Sequence, residues 1–117
     1  MANETRSDLP QGTLDLLILK VAAVGPIHGY AITQRLQQVS RDVVQVPQGS
    51  LYPALHRLER KGWIAAEWKA SEIGPRLRVY RLTKSGSRQL LSERSRWERL
   101  TAAIAGIMNP AGKESES

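Results

Sequence analysis

The segment Leu14-Asp-Leu-Leu-Ile-Leu-Lys-Val-Ala-Ala-Val24 constrains this chain more than any other. Read as a helix it is apolar almost all round, so most of its faces must be covered by something else. Asp15 and Lys20 interrupt it, and it is too short to cross a bilayer. Thr13 reads as its N-cap and Asp15 sits well at the positive end of the helix dipole. Gly25-Pro26 stops it. A chain of 117 residues suffices for one domain and is too short for two comfortable cores. Residues 1–12 are polar, contain Pro10 and Gly12, and read as a flexible arm.

Three more patterns place two helices and a β-prone run after it. Ile32, Leu36 and Val39, spaced four and three apart, predict a second helix over Gly29 to Val39. Val43-Val44-Gln45-Val46 is β-prone and could form a short strand. Leu51, Leu55 and Leu58, with Ala54 beside them, form the core stripe of a third helix. Pro53 lies inside that stripe, and proline is tolerated only in a first turn. The helix is therefore expected to start at Ser50 as N-cap, with Pro53 at its third position, and to end at Lys61-Gly62. Gly49, Pro53, His56 and Arg60 lie opposite the leucines, flanked by Tyr52 and Arg57.

Trp63 to Lys69 alternates, Ser71-Glu-Ile-Gly-Pro75 is a turn, and Arg76 to Leu82 is again β-prone. The two runs read as a hairpin with a loop of about five or six residues, and the pattern leaves open which face is core. Thr83 caps a last helix reaching Met108, closed by Asn109-Pro110. Gly86 near its start indicates either a frayed first turn or close packing against a neighbour. Leu90, Trp97 and Ile104 fall at one heptad position and Glu93, Leu100 and Ile107 at the other, a seam that asks for a partner. Residues 109–117 read as a disordered polar tail.

Charge and composition exclude several functions. There is no cysteine, hence no disulfide scaffold, thiol nucleophile or thiolate metal site. The two histidines, His28 and His56, have no partner at metal-ligand spacing. No Ser-His-Asp order, glycine-rich phosphate loop or metal-ligand cluster appears, so no enzyme, metal or cofactor is expected. The N-terminus lacks the basic and apolar regions of a signal peptide, and a cytoplasmic, non-membrane protein is expected. The net charge is +6. Between Pro47 and Arg88, nine basic residues face three acidic ones, so this stretch alone carries an excess equal to the whole net charge. Such a surface attracts polyanions.

The order is helix, helix, helix, hairpin, long helix: mainly α with a small β-hairpin. It describes a winged helix-turn-helix domain over residues 13–82, followed by a dimerisation helix over 83–108. In that arrangement the third helix enters a major groove and the basic hairpin touches the adjacent backbone or minor groove. The run Pro47-Gln-Gly-Ser-Leu-Tyr-Pro-Ala-Leu-His-Arg-Leu-Glu-Arg-Lys-Gly-Trp-Ile64 resembles the recognition-helix signature of the PadR-like transcriptional regulators. Gly25-Pro-Ile-His-Gly-Tyr30 and Arg78-Val-Tyr-Arg-Leu-Thr-Lys-Ser-Gly86 resemble that family too, in its order, and the likeness spans roughly residues 13–108. The short length resembles the subfamily with a single C-terminal helix.

The resemblance implies a homodimeric repressor whose last helix packs across a two-fold axis onto the partner's first helix. Leu14, Leu17, Ile18, Val21, Leu90, Trp97, Leu100, Ile104 and Ile107 would then form the interface. It also implies a pocket at the dimer centre where an aromatic side chain stacks flat hydrophobic effectors. Trp97 matches that position, with ordinary dimer packing as its other reading.

For double-stranded DNA, Arg57 and Arg60 are the first candidates for phosphate or guanine contacts. Ser50 would combine capping with a phosphate contact, and Gln48, Tyr52 and His56 lie near enough to join. Lys69, Arg76 and Arg78 on the wing would position the backbone, while Glu72 departs from a purely basic tip. A sequence-independent DNA-binding or assembly protein is the alternative, distinguished by salt dependence without sequence preference.

Overall fold

The computed structural model describes residues 9–71 and 74–110. Helix α1 (Gln11–Val24) is followed by a two-residue strand β1 (Ile27–His28) and helix α2 (Gly29–Val39). Helix α3 (Gln48–Arg60), strands β2 (Ile64–Ser71) and β3 (Gly74–Leu82), and helix α4 (Lys84–Met108) complete the order. The sheet is antiparallel in the order β1-β3-β2. This is the expected winged helix-turn-helix with a long terminal helix. Of the expected arm at 1–12, residues 1–8 lie outside the described residues, and Gln11 and Gly12 belong to α1 instead. Glu72 at the turn and residues 111–117 of the expected tail at 109–117 also lie outside the described residues.

Helix α1 is covered nearly all round, as its composition demands. Leu14, Ile18, Leu19, Val21 and Ala22 join Ile32 and Leu36 of α2, Leu51, Ala54, Leu55 and Leu58 of α3, Ile64 and Tyr80 in one core. Each fully buried leucine or isoleucine there contributes roughly 1.5–3 kcal/mol of transfer free energy. Leu16 is buried outside that cluster, beside Leu90 and Trp97 of α4. Helix α1 thus stands between the core and α4.

Helix α1 starts at Gln11 with Pro10 at the cap position, so Thr13 is not its N-cap. Asp15 is not a solvated dipole partner either; it is buried and paired with a side chain of α3. Helix α3 also starts earlier than expected. The Pro47 carbonyl accepts from the amides of Ser50 and Leu51, at 2.9 and 3.0 Å. Ser50 is therefore inside the first turn, without a capping bond, and Pro53 is the sixth helical residue. The amide that Pro53 lacks would have met the carbonyl of Gly49, which is exposed and open to water.

The β-prone run Val43–Val46 forms no strand. Arg41 and Asp42 turn the chain with φ of 55° and 69°. The turn is tied by Gln37 Nε2 donating to Asp42 Oδ1 and by the Val44 amide donating to Ser40 Oγ. Val44 and Val46 instead pack against the core as extended loop.

The end of α3 follows expectation. Gly62 adopts φ +77°; its amide donates to the Glu59 carbonyl and the Trp63 amide to the Leu58 carbonyl. This double closure needs a left-handed residue, which glycine supplies without strain. The wing then pairs Ile64 with Leu82, Ala66 with Tyr80 and Trp68 with Arg78. Its core face is the one carrying Ile64, Ala66, Tyr80 and Leu82. The strands run on to Ser71 and Gly74, so the connection is shorter than expected.

Thr83 caps α4, its Oγ1 accepting from the Gly86 amide at 3.0 Å. The same hydroxyl donates to the Gly62 carbonyl at 2.6 Å, and the Thr83 amide donates to that of Trp63. A Cβ at residue 86 would lie 2.0 Å from the Trp63 carbonyl oxygen. Of the two readings of Gly86, close packing is the one the fold adopts. Among the described residues, no helix is long and apolar enough to cross a membrane.

Candidate nucleic-acid interface

Burying Leu51, Leu55 and Leu58 against α1 and α2 leaves Gln48, Gly49, Ser50, Tyr52, Pro53, His56 and Arg60 exposed along the outer side of α3. This is the hydrogen-bonding and cationic face that the helical pattern places there. Gln48 and Gly49 open the helix, where amides have no intrahelical acceptor and favour an anion. Arg60 makes no ion pair among the described residues. Tyr52 is partly exposed, with its ring edge against the start of α2. A Cβ at Gly29 would stand 3.1 Å from Tyr52 Cε1 and Oη, so glycine permits that close approach.

Arg57 does not join this face. Its Nη2 donates to Asp15 Oδ1 at 2.7 Å, and its side chain is three-quarters buried. Its Nε is buried without a hydrogen-bond partner among the described residues. Arg57 thus ties α3 to α1 through Asp15. Arg78 is also drawn inward, its Nη2 donating to Glu59 Oε2 at 2.9 Å. It braces the wing against α3 rather than standing free. Glu59, next to Arg60 in the sequence, is engaged by Arg78.

Arg76 is exposed on the same sheet face as Arg78, whereas Lys69, opposite Leu77, lies on the other face. The expected wing trio is therefore split. Between α3 and the wing lies a hollow of about 540 Å³. His28, Tyr30, Tyr52, His56, Trp68, Arg78 and Tyr80 line it, which gathers all three tyrosines and both histidines of the chain. Burial pushes the Tyr80 phenol above its ordinary value; the hydrogen bond and positive charge of Arg78 offset this only in part. A second hollow of about 320 Å³, between α2 and the start of α3, is lined by Tyr30, Thr33, Gln34, Gln37, Gln45, Val46, Pro47 and Gln48. Apart from Val46 and Pro47, these are hydrogen-bonding side chains without formal charge, suited to base edges or phosphate oxygens.

Tyr30, His28 and Trp68 had no assigned role in the sequence. The first two reach the hollow because β1 pairs Ile27 with Tyr80 and His28 with Val79. A two-residue strand leaves no periodic signal, and Gly25-Pro26 reads only as a helix stop.

A second surface, along α4 and the adjoining part of α1, carries exposed apolar side chains. Leu14, Ile18 and Val21, expected at a dimer interface, belong to the protomer's own core. Leu17 remains half-exposed, and Leu90 packs at the edge of the core. Trp97, Leu100, Ile104 and Ile107 are exposed along α4. The seam residue Glu93 is half-buried and engaged by Gln89 and Arg96. A hollow of about 270 Å³ between α1 and α4 is lined by Leu16, Leu17, Lys20, Leu90, Arg94, Trp97 and Glu98. A further apolar groove of about 390 Å³ adjoins it, between α1 and α2, with Lys20 and Arg35 among its lining. Among the described residues, no group of three or more His, Asp or Glu could hold a metal.

The family model described as "Transcriptional regulator PadR-like family" matches residues 18–92. Transcriptional regulator Rv3488 of Mycobacterium tuberculosis is 36% identical over 99 residues, covering 85% of this chain and 89% of that protein. Among solved structures, a PadR family transcriptional regulator from Eggerthella lenta is 30% identical with a TM-score of 0.73, covering 85% of this chain and 84% of that one. A PadR-like transcription factor from Bacteroides fragilis is 29% identical with a TM-score of 0.70, covering 83% and 91%.

Proposed function

Because the chain belongs to the PadR-like family of transcriptional regulators, we propose that it acts as a homodimeric repressor that binds an inverted-repeat operator. Membership assigns it to transcription regulation. The observation that carries the finer reading is the division of its surface. One side presents hydrogen-bonding and cationic groups on α3 and the wing, the other an uncovered apolar seam on α4. Two copies joined through their seams would present two α3 helices to successive major grooves, ~34–36 Å apart.

Arg60 is the leading candidate for a phosphate or guanine contact, with Gln48, Ser50, Tyr52 and His56 beside it on α3. Arg76 supplies the backbone contact from the wing. Arg57 and Arg78 act at one remove, by fixing the orientation of α3 and of the wing. On the dimer side, Leu17 and Leu90 would flank the seam of Trp97, Leu100, Ile104 and Ile107. Trp97 borders the hollow between α1 and α4, the place where a flat apolar effector would stack at the dimer centre.

Selection of bound fragments from a genomic library tests the reading. The expected result is a set sharing one inverted repeat, bound about tenfold or more weaker by Arg60→Ala. Fragments without a common sequence, together with a steep salt dependence, would instead indicate sequence-independent binding. For the effector, an apolar fluorescent dye should bind the wild-type dimer and lose its site in Trp97→Ala. A dimer lost without any dye response would assign Trp97 to packing alone.

A further inference from the structure

Trp68 is more than half exposed on β2, at the wing's outer end. It shares a sheet face with its cross-strand neighbour Arg78 and with Arg76. Both guanidinium groups lie over its ring, 5.3 Å (Arg78) and 5.6 Å (Arg76) from the centroid. Both distances are within reach of a cation–π attraction, in which the negative face of the indole holds the planar cation. Arg78 is at the same time tied to Glu59 of α3. A continuous run therefore leads from α3 to the outer wing: Glu59, Arg78, Trp68, Arg76.

We propose that Trp68 is the positioning residue of the wing: it holds the Arg76 guanidinium in place before DNA arrives, so that α3 and the wing meet the duplex as one jaw. This rests on the DNA-binding reading above. An arginine that must be ordered on contact loses rotamer freedom, and one already laid on a ring loses less. Lys69, on the opposite sheet face, is outside this run. Trp68 thus acts through Arg76.

The test uses the full chain in two steps. In the free protein, nitrogen-15 relaxation at Arg76 Nε reports side-chain order. Arg76 should be restrained in the wild type and in Trp68→Phe, and mobile in Trp68→Leu. With the selected duplex, Trp68→Leu should bind about fivefold more weakly and Trp68→Phe within about twofold of wild type. Arg76→Ala should cost about tenfold in the wild type but only about twofold when added to Trp68→Leu. Thermal melting of each variant separates loss of fold from loss of binding. Equal Arg76 mobility in wild type and Trp68→Leu, or additive effects of the two substitutions, would overturn the inference. A wild-type chain that binds no duplex would remove the function proposed above and this role with it. Additive effects in a chain that does bind would remove this role alone.

Discussion

Leu51, Leu55 and Leu58 on α3 and Leu100, Ile104 and Ile107 on α4 follow the same spacing, four then three. Their fates differ. The first three are 0%, 1% and 0% exposed; the second three are 56%, 46% and 75% exposed. What differs is the surface opposite. Helix α3 lies against α1, whereas the far half of α4 extends past the protomer's core. Periodicity therefore identifies a face that needs cover, while the identity of the cover is a property of the fold or of a partner.

Truncation should separate the two stripes most sharply. Leu55→Ala should destabilise the protomer by about 2–5 kcal/mol in chemical denaturation, through lost burial and a residual cavity. Ile104→Ala should leave the protomer's intrinsic stability nearly unchanged and act on association instead. Equal losses in the isolated protomer would mean that the α4 stripe is covered within one copy.

A stronger challenge to the open stripe is the pair Leu100→Asp and Ile104→Asp. Placing two carboxylates in an apolar seam should weaken association on the order of a hundredfold or more, read as molar mass against concentration by light scattering. The helical circular dichroism of the domain should persist.

The two arginines of α3 sharpen the comparison from the charged side. Arg57→Ala leaves the Asp15 carboxylate buried without its partner and should cost about 1–3 kcal/mol of stability. Arg60→Ala should leave the melting temperature within a degree or two and weaken duplex binding. The reverse pattern would exchange their roles.

The smallest effect concerns Tyr80, where core and interface meet. An unfolded tyrosine releases its proton near 10.0, and burial raises that value in the fold. The folded chain therefore retains the proton longer, and this contribution to stability is intact below pH 10 and lost as pH rises through the folded value. Tyr80→Phe should flatten the alkaline fall in stability; an unchanged slope would assign that fall to other groups.

Much of this architecture can be read from sequence because it is local. The four-and-three repeat gives α2 with its observed limits, Thr83 gives the start of α4, and Gly62 gives the end of α3. The failures that matter most for the site are long-range. Asp15 and Arg57 are 42 residues apart and Glu59 and Arg78 are 19 apart, so no spacing rule pairs them. These two ion pairs remove two of the expected cations from the exposed face. The start of α3 escaped because Ser50 resembles a cap by composition while the Pro47 carbonyl provides the first acceptor. The short strand β1 exists only because β3 is there to pair with it.

In the proposed mode of action, two copies meet one duplex through the uncovered seam. Light scattering of the full chain with a duplex carrying the selected inverted repeat measures this directly. The predicted mass is that of two chains per duplex, falling to protein and DNA apart when Leu100 and Ile104 carry aspartate. A single chain per duplex, or a two-chain complex that survives both aspartates, would contradict it.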